Sequence, residues 1–327
     1  MANGIFCVIG AMVGAGFASG REIMAFFSQY GVFSWPLIIL CVLFMTGMMD
    51  AMMQRADSVR AFVPEGTAAP FGRAVWLMLF AFTGGAMAAA AGEMWALTVP
   101  VRYARQIGAA GTLLFCMAQQ KKAEKTGAVM GKLLLPALLC ALLLCLRGDG
   151  MEMQTPAFTV GGAFRAMFAA LGYGALNVTL SAGVICEAGR GMKKTQKRKT
   201  ALLCGAAIGL LLLFANTALL RYGEARDAAL PVVALLRPFG KEGFYLSAAV
   251  LYLAVVTTLT AQIKGLTALL PQKGGVCLSG IMTAAASLFG FHGIVGAAYP
   301  ILGWAAAGMA VIAVLKKRPL PESKGRS

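Results

Sequence analysis

The chain has 327 residues, 59% of them hydrophobic and only 13% charged, with a mean hydropathy of +0.76. Soluble domains carry roughly 25% charged residues, so repeated apolar runs of about 20 residues read as membrane-crossing helices; continuous runs without alternation exclude a β-barrel. The net charge of +16 does not indicate nucleic acid, because the basic residues fall in short loops between apolar runs, as orientation signals do.

Ten spans are predicted, at 4–29, 34–53, 73–97, 101–118, 127–146, 159–186, 200–220, 242–263, 275–291 and 293–315. The expected class is an all-α integral membrane protein, a single membrane domain over 1–327 with a tail at 317–327. An even count puts both termini on one side. Loops on that side, with the adjoining helix ends, hold 20 of the 29 Lys and Arg; the opposite side holds 8, and Arg21 lies within the first span. This bias places both termini and the "RGMKKTQKRK" loop in the cytoplasm. The N-terminus has no basic n-region or cleavage site and reads as a retained first helix.

The first span contains "VIGAMVGAGFASGREIMAFF", with glycine at 10, 14, 16 and 20. Two small-xxx-small patterns there suit close helix packing. The glycine density, with Ser19, Arg21 and Glu22 close behind, favours an unwound segment instead, since ionisable groups inside a membrane are functional candidates. "GAGFASG" is a poor dinucleotide fingerprint, because its third glycine is displaced and no strand precedes it. Asp50 and Glu93 lie near span ends and read as reaching interfacial water. Lys132, about a turn inside span five, reads as snorkelling to the cytoplasm.

The midpoint falls in "RGDGMEMQTPAF" and divides the chain into five-span halves, 1–147 and 155–316. Five is odd, so the halves have inverted topology, a common transporter plan. Span six opens the second half as span one opens the first. It reads "FAALGYGALNVTLSAGVI", with Gly172 and Gly174 around Tyr173 and then Asn177. Interrupted helices at matching positions point to a midplane site, because freed backbone groups survive in lipid only where protein, water or substrate satisfies them. The backbone of Gly14, Ala15, Gly16, Phe17, Ala18, Ser19 and Gly20 and the stretch from Gly172 to Asn177 are the expected substrate lining. Phe17 and Tyr173 are candidate gates of the site, and Arg21 and Glu22 are gating candidates at the outer vestibule. Within the outer loop 221–241, "ALPVVALLRPFG" is too short to span and reads as a re-entrant or surface helix.

In span eight, "AVVTTLTAQ" offers the Ala254 carbonyl and the Thr257 and Thr258 hydroxyls within one turn, oxygen ligands suited to sodium. The competing reading is that each threonine bonds back to its own helix. The eight cysteines show no CxxC spacing, so neither a disulfide framework nor a zinc site is indicated. His292, in "FGFHGIVG", has no Ser/Asp or Cys partner for a triad. No Walker A, HExxH or paired-carboxylate pattern appears, so no enzyme and no organic cofactor are expected.

"VGAGFASGREIMAFFSQYG" resembles the first-helix signature of the YkvI-like bacterial membrane proteins, usually near VGAGFASGQE followed by FF and YG. "YGALN" and "AAYPILGW" look similar, and span number and loop pattern agree over the whole chain. Arg21 departs from the glutamine of that pattern. The family is similar to the amino acid–polyamine–organocation transporters, and the resemblance implies a LeuT-type fold of five-plus-five inverted repeats in a bacterial inner membrane, with helices one and six broken. It implies a central site between helices one and six, against three and eight. It implies a sodium ion held by the carbonyls of Gly10 and Val13 with Ala254, Thr257 and Thr258. In some proton-coupled relatives a helix-five lysine takes that ion's place, and Lys132 is the candidate here. The expected activity is cation-coupled transport of a small amino acid or related solute. The alternative is a non-transporting ligand sensor, similar to the membrane subunits of germinant receptors. The expected partners are a small-molecule substrate and the lipid bilayer.

Overall fold

The computed structural model describes residues 2–55, 59–62, 69–146, 160–221 and 230–315, which form helices without a strand. In chain order these are α1 (Ala2–Met12), α2 (Ala15–Ala18), α3 (Arg21–Phe26), α4 (Ser34–Arg55), α5 (Ala69–Thr98), α6 (Ala104–Ala118), α7 (Ala123–Cys145) and α8 (Val160–Leu180). There follow α9 (Ala182–Gly189), α10 (Lys194–Arg221), α11 (Pro231–Leu236), α12 (Gly240–Leu269), α13 (Gly275–Ser287), α14 (Gly290–Gly293) and α15 (Tyr299–Leu315). The expected loop between the two halves and the tail at 317–327 lie outside the described residues.

Five helical stretches, Ser28–Arg55, Ala69–Thr98, Gln120–Cys145, Lys194–Arg221 and Pro231–Leu269, are long and apolar enough to cross a bilayer, and they make this a multi-pass membrane protein. They contain the expected spans 34–53, 73–97, 127–146 (to within a residue), 200–220 and 242–263. The bent pair α8–α9 covers the span expected at 159–186.

Lipid gives helices no hydrophobic reason to associate with one another, so small residues at their contacts carry the packing. The centre of the bundle follows from this. A side chain on Gly85 of α5 would come within 2.6 Å of Ala286 on α13, and one on Gly92 within 2.5 Å of the Arg105 carbonyl on α6. On α12, one on Gly265 would reach within 2.7 Å of Phe80. The most apolar windows of α5 and α12 are 67% and 61% buried, against 39% for those of α4 and α7, so α5 and α12 form the middle and α4 and α7 the flanks. Helix α1 lies against α7, α9 and α12, admitted by Gly131, where a Cβ would sit 2.4 Å from the Phe6 carbonyl.

The first span is interrupted twice. Helix α1 stops at Met12, Gly14 is extended (φ −79°, ψ −179°), and α2 runs for four residues. Gly20 then takes the left-handed conformation at φ +81° before α3 begins, which only glycine adopts without a steric cost. The break expected over 14–20 is therefore present. The break expected around Gly172–Asn177 is not, because α8 is continuous through those residues. The chain bends instead at Ser181, by 62° between α8 and α9. Gly174 serves packing: a Cβ there would meet Met45 and Phe44 of α4 at 3.0 and 3.1 Å.

Candidate functional site

Two helix ends lie inside the bundle, at Met12 and Leu180, and α12 faces both. Thr258 Oγ1 lies 3.5 Å from the Gly10 carbonyl and 3.4 Å from the Ala11 carbonyl at the end of α1. One turn further, Gln262 Nε2 donates to the Leu180 carbonyl at 3.4 Å, at the end of α8. Residues four apart share a helix face, so one stripe of α12 holds the loose ends of both interrupted helices. The first amide beyond the break, Ala15 N–H, meets the Met87 thioether at 3.4 Å, a weak acceptor.

These groups enclose a small cavity lined by Glu22, Thr83, Asn177, Thr258, Gln262 and Tyr299 among others, about 10 Å³ in volume. That is room for about one water. Tyr173, one helical turn before the cavity residue Asn177, is buried. This ring packs against Phe26 and Phe27, with centroids 5.2 and 5.1 Å away. On the Ala2 side, Glu187 of α9 and Lys264 of α12 form an ion pair. It lines a second cavity, of about 30 Å³, with Cys7 and Glu124.

Glu22 departs most from expectation. It does not stand at an outer vestibule but is 5% exposed and folded back into the core. Its carboxyl group lines the central cavity with Asn177 and Tyr299. The side chain runs over Gly16 so closely that a Cβ there would lie 2.0 Å from its Oε1. The left-handed turn at Gly20 restarts α3 at this point, and the first turn of α3 carries Glu22 inward. Its neighbour Arg21 lines a separate groove of about 640 Å³ with Phe26, Arg165 and Trp304.

The remaining expected residues divide. Gly14 lines the central cavity, Ala15 presents its amide, and Asn177 lines the opposite wall. Phe17 and Ala18 are buried away from the cavity, and Ser19 bonds back to the Gly16 carbonyl at 3.1 Å. The Ser19 carbonyl accepts from Val232 N–H at 2.8 Å, so the apolar insert α11 is docked on the break. Of the sodium set, Gly10, Thr257 and Thr258 meet at the α1–α12 contact, where a Cβ on Gly10 would lie 3.4 Å from the Thr257 methyl. Thr257 Oγ1 donates within its own helix, to Leu253 at 3.0 Å and Ala254 at 2.9 Å. Ala254 and Val13 are buried, on α12 and at the break. Lys132 is not brought to this group. It is exposed on α7 with its ammonium 5.8 Å from the Phe6 ring centre, and it is Gly131 that faces α1. Glu93 pairs with Arg105 at 3.0 Å.

Gln262, Thr83, Tyr299 and Met87 escaped the sequence reading. Gln262 alone carried a local signal, four residues after Thr258 in an otherwise apolar helix; the others need tertiary proximity to be found. No protein-family model matches the chain, and no curated protein matches it.

Proposed function

We propose that this protein is a cation-coupled secondary transporter of a small amino acid or related organic solute, built as ten spans in two inverted five-helix halves. Both termini face the cytoplasm of a bacterial inner membrane. The observation that carries the reading is the pair of interrupted helices, α1 and α8, whose buried ends meet one stripe of α12 beside a closed cavity. Interrupted helices in lipid need a compensating partner for their freed groups, and a solute or ion in that place couples its own binding to helix position.

In this reading the small cavity belongs to a closed stage of an alternating-access cycle. A solute enters when Tyr173 and the Phe26–Phe27 pair separate on one side. It leaves when the Glu187–Lys264 pair opens on the other. For the coupling ion, the carbonyls of Gly10, Val13 and Ala254 with the Thr257 and Thr258 hydroxyls supply the oxygen-only donor set that an alkali cation needs. Sodium is favoured over a proton at Lys132, because that lysine lies on the outer surface of α7.

The test is uptake of a labelled amino-acid panel into proteoliposomes with and without an inward sodium gradient. Sodium-driven accumulation that falls in Thr258→Ala is the expected result. Saturable binding without uptake of any solute would replace the transporter with a ligand sensor on the same fold. Uptake indifferent to sodium and to Thr258→Ala would remove the sodium site.

A further inference from the structure

Several side chains around the central cavity direct a proton at a backbone carbonyl. Asn177 Nδ2 donates to the Tyr173 carbonyl at 3.1 Å, and Gln262 Nε2 to the Leu180 carbonyl at 3.4 Å. Thr83 Oγ1 donates to the Leu79 carbonyl at 2.8 Å, and Thr258 Oγ1 to the Gly10 and Ala11 carbonyls. A carbonyl only accepts, so each of these partners fixes which atom of the amide or hydroxyl faces it. The side-chain oxygens keep acceptor capacity, beside the second N–H of each amide and the Tyr299 hydroxyl.

Two groups of the lining call for a positive or proton-donating partner. Gln262 is fully buried, and its Oε1 has no hydrogen-bond partner, although buried acceptors are rarely left unpaired. Glu22 adds a buried carboxylate, and among the described residues no Lys or Arg nitrogen lies within 4.0 Å of it. The lining therefore holds a buried carboxyl group and an orphaned amide oxygen, in a space the size of about one water. A buried carboxylate without a countercharge is costly, and so is an orphaned amide oxygen. A small cation placed between them relieves both. An anion or a neutral hydrogen-bond acceptor relieves neither.

We infer that the central cavity binds a small monovalent cation between Glu22 and Gln262, at a position separate from the Thr257 hydroxyl. The protonated head of a primary amine and a bare alkali ion share this chemistry. The inference deepens the transporter reading and rests on it for the cation's place in the cycle. In that cycle the cation is either the substrate's ammonium group or a second coupling ion.

The experiment is ligand-induced thermal stabilisation of the purified full chain, with methylammonium chloride and sodium chloride titrated against choline chloride at equal ionic strength. Choline carries the same charge but is too large for the cavity. The expected result is a rise in unfolding midpoint with methylammonium, sodium or both, beyond that with choline and proportional to the logarithm of concentration. A response to methylammonium alone assigns an amine head, and a response to sodium alone assigns an alkali ion. Glu22→Gln keeps the shape and removes the charge, and it weakens the apparent affinity about tenfold or more, as loss of a charged hydrogen-bond partner does. Gln262→Leu weakens it in the same direction and serves if the Glu22 variant does not fold. Lys132→Met, exposed on α7 and outside both this cavity and the proposed sodium set, leaves the response in place. Equal stabilisation by all three salts, or titrations unchanged in both Glu22→Gln and Gln262→Leu, overturns the inference. Uptake that proceeds normally in Glu22→Gln would defeat this site while leaving the transporter reading intact. Cation binding without uptake does the reverse.

Discussion

The Gly16–Glu22 contact makes a sharp prediction. A methyl group added at Gly16 would lie 2.0 Å from Glu22 Oε1, 2.3 Å from its Cδ and 2.5 Å from its Cγ. Carbon atoms settle at roughly 3.5–4.0 Å, so the carboxylate must retreat by more than 1 Å. A cavity with room for about one water offers no free volume for the retreat. Overpacking in a filled core costs about 1–3 kcal/mol. Gly16→Ala is therefore expected to lower the unfolding midpoint of the purified protein by several degrees. The collision is specific to one side chain. In a Glu22→Ala background the methyl has room, and Gly16→Ala should cost almost nothing further. A double-mutant cycle on thermal midpoints then gives a coupling of about 1–3 kcal/mol, within the range for residues in direct contact. Strictly additive effects would show that Glu22 does not lie over Gly16, and the description of the central cavity would fail with it.

Gly20→Ala places a Cβ at φ +81° and 3.1 Å from Val232, and should destabilise by about 1–2 kcal/mol; Gly111→Ala, in open space on α6, should be neutral or stabilising in the same melt. Opening the Glu187–Lys264 pair with Glu187→Gln should raise several-fold the rate at which a maleimide labels Cys7, which is buried beside that pair, measured in a background lacking the other cysteines. An unchanged rate would remove the pair from the closure of that side. Lys132→Met should leave proteoliposome uptake and its sodium dependence unchanged, because Lys132 lies on the surface of α7; loss of coupling in this variant would restore the proton-coupled alternative.

The two helix interruptions show how far sequence carries here. At 14–20 the signal was legible because the local chemistry is unambiguous: Gly20 occupies a left-handed conformation, and polar residues follow it at once in an apolar run. At span six the same signal misled. Gly172 and Gly174 sit in a continuous helix, where Gly174 lets α4 approach, while the bend falls at Ser181. A glycine in a membrane helix serves either a break or a close contact, and only the neighbouring helix distinguishes the two. The α12 threonines divide similarly. Their spacing put oxygen atoms on one turn, but that Thr258 reaches across to α1 while Thr257 bonds back within α12 depends on how the helices cross.

Sequence by itself determined that the chain is helical and apolar enough to cross a membrane repeatedly, that the first span is interrupted, and that charges gather in the loops. These follow from hydropathy, run length and glycine chemistry, which are properties of short segments. Tertiary structure decided the rest: Glu22 turned inward over Gly16, Gln262 was set against the end of α8, and Lys132 was left outside. Each of these depends on the direction in which a helix face points once its neighbours are packed, and no segment shorter than the bundle contains that information.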